Sequence, residues 1–412
     1  MHWAHAMRPY ESAHTMLTFI HTSDWHLGQT NRRLGPRATD FSQWRLDAAR
    51  RVFELAAEKK VDFVVVAGDV FDSDTPSPAT MQAAAEILRD APVPTYLISG
   101  NHDPLIEGSV WFHPTFADAI SGVKNVHLSR ASETLQVNNG DVVLYSCPVV
   151  AKHSREDSTA WIPNSPRSES QARIALAHGG WKGYWQSAEY SAPGAQLNSI
   201  CDQTASRCGL DYLALGDYHS FTPAHHPAAF QRTYYSGTPE VSARDDARAG
   251  HVLLVEIEKP GANPVVTPHS VGRAQCFNWG AIRLQTGDGL SALQAQFEKI
   301  ENHETAIVRG KISGVVSQSE WRDLNEWLND LREKVLGADV DFAKLLTEPT
   351  AEDFLALRLE APEEHLLEVL NAPLELLNLN GIPDREIVAN WSRDEAVRRE
   401  ARTLFYQLLR GE

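Results

Sequence analysis

The stretch LTFIHTSDWHLG (residues 17–28) begins as an apolar run and ends on Asp24-Trp25-His26. A second stretch, DYLALGDYHS (211–220), does the same and ends on Asp217-Tyr218-His219. Short runs rich in β-branched and aromatic residues, bounded by glycine and polar residues, predict strands. Both strands therefore deliver an acid and an imidazole, two positions apart, to the place where the chain turns.

The surrounding sequence repeats the pattern. VDFVVVAG (61–68) is a continuous β-branched run, as expected of a strand covered on both faces. SQWRLDAARRVFELAAEKK (42–60) places Trp44, Ala48, Val52, Leu55 and Ala56 at helical spacing. PATMQAAAEILRD (78–90) predicts a second helix and PTYLISG (94–100) a third strand. This β-α-β-α-β rhythm implies helices packed on a sheet. A strand-rich section follows: a hairpin over 133–148 around Asn138-Asn139-Gly140, then strands over 172–180, 211–217, 232–237 and 251–258.

The bulk properties narrow the class. A chain of 412 residues exceeds one ordinary core and predicts two or three domains. No apolar stretch reaches the roughly 18 residues that span a bilayer, so no membrane partner is expected. The first 16 residues lack the apolar segment of a signal peptide and are expected to be a disordered leader, with Met16 as a candidate start. Cys147, Cys201, Cys208 and Cys276 form no C-x-x-C pair, which fits a reducing cytoplasm. A net charge of -16 argues against nucleic-acid binding through a globally basic surface, but not against local capture by a few arginines and metal ions.

The ends of the apolar runs carry the chemistry. In order they offer Asp24 and His26, then Gly68-Asp69-Val70-Phe71-Asp72, then Gly100-Asn101-His102-Asp103, then His178-Gly179, then Gly216-Asp217-Tyr218-His219. In open α/β sheets ligands gather outside such strand ends. One Asp or His there is ordinary turn chemistry. Five ends that all offer oxygen or imidazole donors are a metal-binding pattern, and without thiolates they suit Mn, Mg, Fe or Zn. Two ions that share a carboxylate are the usual device for phosphoryl displacement.

The series D-x-H, G-D-x-x-D, G-N-H-D, a lone His and G-x-x-H resembles that of the calcineurin-like metallophosphoesterases. Within that superfamily, HTSDWHLG, VVAGDVFD, ISGNHD and YYSGTPE are most similar to the SbcD/Mre-type nuclease subunits of DNA-repair complexes. The resemblance covers about 17–260. It implies an α/β fold in four layers (α/β/β/α), a β-sandwich flanked by helices, followed by a small α/β capping domain and a helical C-terminal segment.

The resemblance also implies roles. Asp24, His26 and His219 would hold one divalent ion, Asn101, His178 and Asp217 the other, and Asp69 would bridge them, with Mn2+ foremost and Mg2+, Fe2+ or Zn2+ as alternatives. His102 would be the general acid, with Asp72 as the acid that orients its ring and favours its charged form. Arg32, Arg33 and Arg45 are candidate DNA phosphate contacts. Asp217 departs from the pattern, which usually has His there; it is either a direct ligand or an acid orienting a neighbour. The implied function is a two-metal DNA nuclease acting with an SMC-like coiled-coil ATPase of SbcC type, a homodimer being kept open. The alternative is a phosphodiesterase or phosphatase for a small nucleotide-like substrate.

The expected domains are a leader (1–16), a nuclease domain (17–270), a capping domain (275–345) and a partner-docking segment (346–412). Within the capping domain, strands are expected over 281–287 and 305–314. Ser317 and Glu320 predict a capping box opening a helix over about 320–336. Trp321, Leu324, Trp327, Leu328 and Leu331 share one face of it, and Gly337 is expected to stop it. Beyond Pro349, Pro362, Pro373 and Pro383, a final amphipathic helix uses Val397, Ala401, Leu404, Phe405 and Leu408.

Overall fold

The computed structural model describes residues 16–30, 38–181, 197–222, 232–241, 248–350, 353 and 395–410. The expected leader, Arg32 and Arg33, and the stretch containing Pro362, Pro373 and Pro383 lie outside them. Contacts divide the chain into two compact units, Met1–Gln275 and Cys276–Glu412. No helix among the described residues is long and apolar enough to cross a membrane.

In the first unit the elements run β1 (Leu17–Thr22), α1 (Ala38–Lys59), β2 (Phe63–Ala67), α2 (Pro78–Arg89), β3 (Thr95–Ile98), α3 (Pro114–Ile120) and β4 (Val126–Leu128). Then come β5 (Glu133–Val137), β6 (Val142–Cys147), β7 (Ala172–His178), β8 (Gly180–Trp181), β9 (Ser199–Ile200), the single turn α4 (Thr204–Arg207) and β10 (Tyr212–Gly216). β11 (Thr233–Tyr235), β12 (His251–Ile257) and β13 (Val265–Ser270) complete it. One sheet has the order β13-β12-β1-β2-β3-β4, the other β11-β10-β7-β6-β5.

The apolar runs become strands covered on both faces because their alternate residues feed different cores. In β2, Val64 and Val66 pack under the helices with Ile20, Ala84 and Leu88. Phe63, Val65 and Ala67 point the other way, between the sheets, where they meet Leu144, Ile174, Leu176 and Tyr212. The outer face of the second sheet is closed by Ile162, Trp181, Ile200 and Leu210. This is the four-layer calcineurin-like fold, with a thin fourth layer made mostly of loop and the single turn α4.

Parallel pairing sets the direction of the site. β1, β2, β3 and β4 pair in parallel, as do β6, β7, β10 and β11. The C-terminal ends of the chemistry-bearing strands therefore collect along one edge of each sheet. Asn138 and Asn139, both at positive φ, turn the expected β5–β6 hairpin. β13 was not expected from the sequence; it pairs with β12, Val255 opposite Val266. It is a mostly exposed edge strand containing Pro268, so it lacks the apolar alternation that marks the others.

The second unit is built on β14 (Gln275–Leu284), α5 (Ser291–Phe297), β15 (Ala306–Val316), α6 (Gln318–Lys334), β16 (Gly337–Thr347) and α7 (Glu395–Arg410). Ser317 and Glu320 form the capping box in full, and Leu324, Leu328 and Leu331 are buried with Trp321 and Trp327 packed beside them. Two expectations are corrected. The strand read at 281–287 lies earlier, since Gly287 at φ 101° turns the chain. Gly337 does not stop α6: Val335 is the C-cap in an extended conformation, and Gly337 opens β16, parallel to β15. The final helix is present, but Leu404 and Leu408 are exposed while Thr403 is buried. Arg402 pairs with Glu348, so the helix presents a polar face inward.

Ser317→Ala removes the hydroxyl that accepts the Glu320 amide at 3.2 Å. Loss of such a cap costs about 1 kcal/mol. Calorimetry of this variant is expected to show a lowered melting transition, and an unchanged one would contradict the role assigned to the cap.

Candidate metal centre

The site begins with backbone in an unfavourable conformation. Asp24, His26, Asp69 and Asp217 have positive φ values of 54°, 45°, 52° and 102°. Each left-handed non-glycine residue costs on the order of 1 kcal/mol, so the surroundings must enforce it. They do so by hydrogen bonds between loops. The amides of Asp24, His26 and Leu27 donate to the carbonyls of Gly68, Asp69 and Val70 at 3.0, 3.0 and 2.9 Å. The Asp217 amide donates to Asp24 Oδ1 at 3.1 Å, tying the end of β10 in the second sheet to the end of β1 in the first.

Two glycines allow the approach. A Cβ on Gly100 would collide with the Asp69 carboxylate, and one on Gly216 with the Ala67 carbonyl and the His178 ring. With hydrogen there, side chains from five strand ends converge. Asp24, His26 and His219 form one trio of potential ligand atoms within 4.8 Å of one another; Asp24, Asp69 and His178 form another, and His26, Asp69 and His102 a third. The Nε2 atoms of His26 and His219 lie 3.0 Å apart. His178 Nε2 lies 2.8 Å from Asn101 Oδ1, 3.4 Å from Asp69 Oδ2 and 3.9 Å from Asp217 Oδ1.

The far ring nitrogens show which atoms are aimed inward. His178 Nδ1 donates to the Ala67 carbonyl at 2.8 Å, which leaves Nε2 as the lone-pair atom facing the centre. His102 Nδ1 donates to the Asp72 carbonyl at 2.9 Å. The Asp72 carboxylate is farther from His102, at 3.9 Å, and nearer to His26 Nδ1, at 3.5 Å. Asp72 therefore acts differently from the expectation: its main chain orients His102, and its side chain stands behind His26.

Burial sets the electrostatics. Desolvation pushes Asp24 up to about 6, against the pull of His178 and His219. Desolvation also raises Asp217, with the Asp69 carboxylate adding to the rise. Asp69 is buried too, yet His178 and its own neighbouring imidazoles hold it below the usual carboxylate range. Burial drives His26 well down. A pocket of several buried acids and imidazoles is stabilised by divalent cations. The oxygen and imidazole donors present fit divalent ions.

All nine acid, amide and imidazole residues singled out in the sequence meet here. Arg45 does not serve as expected. It is 1% exposed, donates from Nη1 to the Trp25 carbonyl at 3.0 Å and lies over the Phe41 ring. It supports the first loop from behind and cannot reach a DNA phosphate. Asp217 joins none of the three trios, although it touches His178.

Three supporting groups were missed. Ser23 donates to Asp24 Oδ2 at 2.5 Å and meets Ser236 at 2.8 Å. Asp103 accepts the amides of Gly100 and Phe71 at 2.6 and 3.0 Å, fastening the third loop to the second. Tyr235 accepts from the Trp181 amide and donates to the Gly179 carbonyl, holding the turn after His178. Asp103 is the last letter of G-N-H-D and could have been noticed; the others gain meaning only from contacts between distant segments.

The family described as Calcineurin-like phosphoesterase matches residues 17–221. The DNA double-strand break repair protein Mre11 of Archaeoglobus fulgidus is 39% identical over 90 residues, covering 21% of this chain and 19% of that protein. The SbcD component of the nuclease SbcCD from Rhodobacter capsulatus is 36% identical over 98 residues, 21% of this chain and 22% of its own. The uncharacterized metallophosphoesterase YhaO of Bacillus subtilis is 26% identical over 254 residues, 58% of this chain and 57% of its own. Each match thus spans less than two thirds of the relative's length. The strand ends that bring acids and imidazoles together fall within the matched segment, residues 17–221, which is similar to calcineurin-like phosphoesterase domains.

Proposed function

We propose that the protein is a two-metal-dependent DNA nuclease of the Mre11 and SbcD kind, cleaving phosphodiesters in DNA repair or processing together with an SMC-like coiled-coil ATPase. The observation that carries this reading is the convergence of Asp24, His26, Asp69, His178 and His219 from two sheets on one centre. The short matches to Mre11 and SbcD support the nuclease assignment over other phosphoesterases. The longer match to YhaO names no substrate and keeps a second reading in play, a phosphodiesterase for a small nucleotide-like molecule.

Asp24, His26 and His219 would hold one ion and Asn101, His178 and Asp217 the other, with Asp69 between them. Two such ions supply a water acidified toward neutral pH and positive charge for the phosphate oxygens. The chain's own residues do the rest. Ala67 and Ser23 hold His178 and Asp24 in their orientations, and the Asp72 carboxylate stands 3.5 Å from His26 Nδ1. His102 is 43% exposed, with Nδ1 occupied by the Asp72 carbonyl. Its Nε2 is the atom that delivers a proton to the departing sugar oxygen.

The test is cleavage of single-stranded and duplex DNA beside bis-p-nitrophenyl phosphate, across Mg, Mn, Fe and Zn, with Asp69→Ala as the inactive control. Metal-dependent cutting of DNA supports the proposal. Hydrolysis of the small ester with both DNAs untouched would instead establish the small-substrate reading.

His102→Ala is expected to retain its metals and lose about 10²- to 10⁴-fold in turnover on DNA. The loss shrinks on the p-nitrophenyl ester, whose leaving group needs no proton. An equal loss on the two substrates would remove His102 from the acid role.

Asp217→Ala is expected to release one of two metals selectively. Asp217→His keeps both, and its preference moves from Mg or Mn toward Zn, because an imidazole replaces a hard oxygen donor. Metal content after dialysis reads this directly; two metals and an unchanged profile in Asp217→Ala would leave Asp217 an orienting acid.

A further inference from the structure

A cavity of about 290 Å3 opens beside the metal centre, with His178 in its wall. The rest of the lining comes from Ser132, the segment after β6 and Asn198, and includes Val150, Glu156, Asp157 and Trp161. Its size is at the low end for a small-molecule site and suits one flat heterocycle rather than a whole nucleotide.

Two features make it a built site. The rim is rigid: Asn198 Oδ1 accepts the Ser154 amide at 2.9 Å, Asn198 Nδ2 donates to the Lys152 carbonyl at 3.0 Å, and the Asn198 amide donates to the Ser154 carbonyl at 2.7 Å. Asp157 pins the same segment by accepting the amides of Thr159 and Cys201. The second feature is apolar surface left in water next to a hydrophilic centre. Val150 is 61% exposed and Trp161 37%, with Leu197 also exposed beside Asn198 in the chain. Tyr145 packs against the Trp161 ring at 67° and 6.0 Å between centroids, which fixes its tilt.

The charge of the lining decides what could fill it. Among the described residues, two carboxylates and no lysine or arginine line the cavity, so a phosphate is disfavoured there. A neutral planar ring with amino groups is favoured, since it can stack on the indole while the carboxylates and amide oxygens accept from its N–H groups.

We propose that this cavity is a nucleobase subsite, in which the base of the nucleotide adjoining the scissile phosphate stacks on Trp161 and packs against Val150. The assignment rests on the phosphodiesterase reading above and names where that site gains its preference for nucleic acid. His178 belongs both to the cavity wall and to the metal centre, so a base in the cavity lies beside the phosphate site.

The experiment compares deoxyadenosine 5′-(p-nitrophenyl phosphate) with methyl p-nitrophenyl phosphate, which share a leaving group and differ in the nucleoside. Wild type is expected to prefer the nucleoside ester. In Trp161→Ala the ratio of the two kcat/KM values is expected to fall about 10-fold, the effect residing in KM, as for lost stacking. Trp161→Phe should restore part of the ratio. Fluorescence of 2-aminopurine deoxyriboside 5′-monophosphate gives a readout without turnover, quenched by wild type and not by Trp161→Ala. A loss shared equally by both esters, or a wild type without preference or quenching, would overturn the subsite and leave the phosphodiesterase reading intact. Failure of wild type to hydrolyse either ester would overturn that reading and the subsite with it.

Discussion

Three backbone hydrogen bonds join the end of β1 to the end of β2, from Asp24 to Gly68, His26 to Asp69 and Leu27 to Val70. They extend the parallel pairing of the two strands past the point where both chains would otherwise diverge into loops. In doing so they hold Asp24, His26 and Asp69 in left-handed conformations that these residues avoid on their own. The directions in which the three side chains leave the backbone follow from that constraint. Relaxing any one of these turns would swing an acid or an imidazole away from the centre, so the strain is a condition of the site.

A similar constraint governs the layer behind the ligands. Two imidazoles have one nitrogen committed outward, to the Ala67 carbonyl for His178 and to the Asp72 carbonyl for His102. Main-chain acceptors are rigid and cannot change protonation state, so the inward nitrogens keep their roles as charge at the centre changes. Asp72 accepts from His102 through its backbone carbonyl, and its carboxylate stands near His26 Nδ1. Asp103 adds no chemistry of its own, yet without its two amide contacts the loops bearing Asp69 and His102 would be separate pieces.

The cavity beside His178 places a different physical demand on the chain. The metal centre needs desolvated charge, whereas Trp161 and Val150 leave apolar surface exposed beside it. Juxtaposing the two gives a surface suited to a molecule that is anionic at one end and flat and uncharged at the other. That is the shape of a nucleotide's chemistry, and it links the subsite to the proposed substrate class through physics independent of the metal ligands.

Much of this was legible in the chain itself. Apolar runs marked β1, β2, β3, β7 and β10 as strands, and their polar terminations supplied the nine residues of the centre. Motif spacing sufficed there because each loop is short, so strand end and ligand are neighbours in sequence. Ser317 and Glu320 revealed α6 for the same local reason. What the sequence could not decide was every relation across the fold. Arg45 looked like a surface cation beside the first motif, and only packing shows it buried behind Trp25. Asp72 was assigned to His102 by resemblance, and only geometry shows its carboxylate nearer to His26. β13, a mostly exposed strand with little apolar alternation, went unread because pairing rather than burial makes it. The sequence by itself determined which donors stand at each strand end; tertiary structure decided which atoms face one another, because hydrogen bonds between residues 193 positions apart, such as Asp217 to Asp24, exist only once two sheets are stacked.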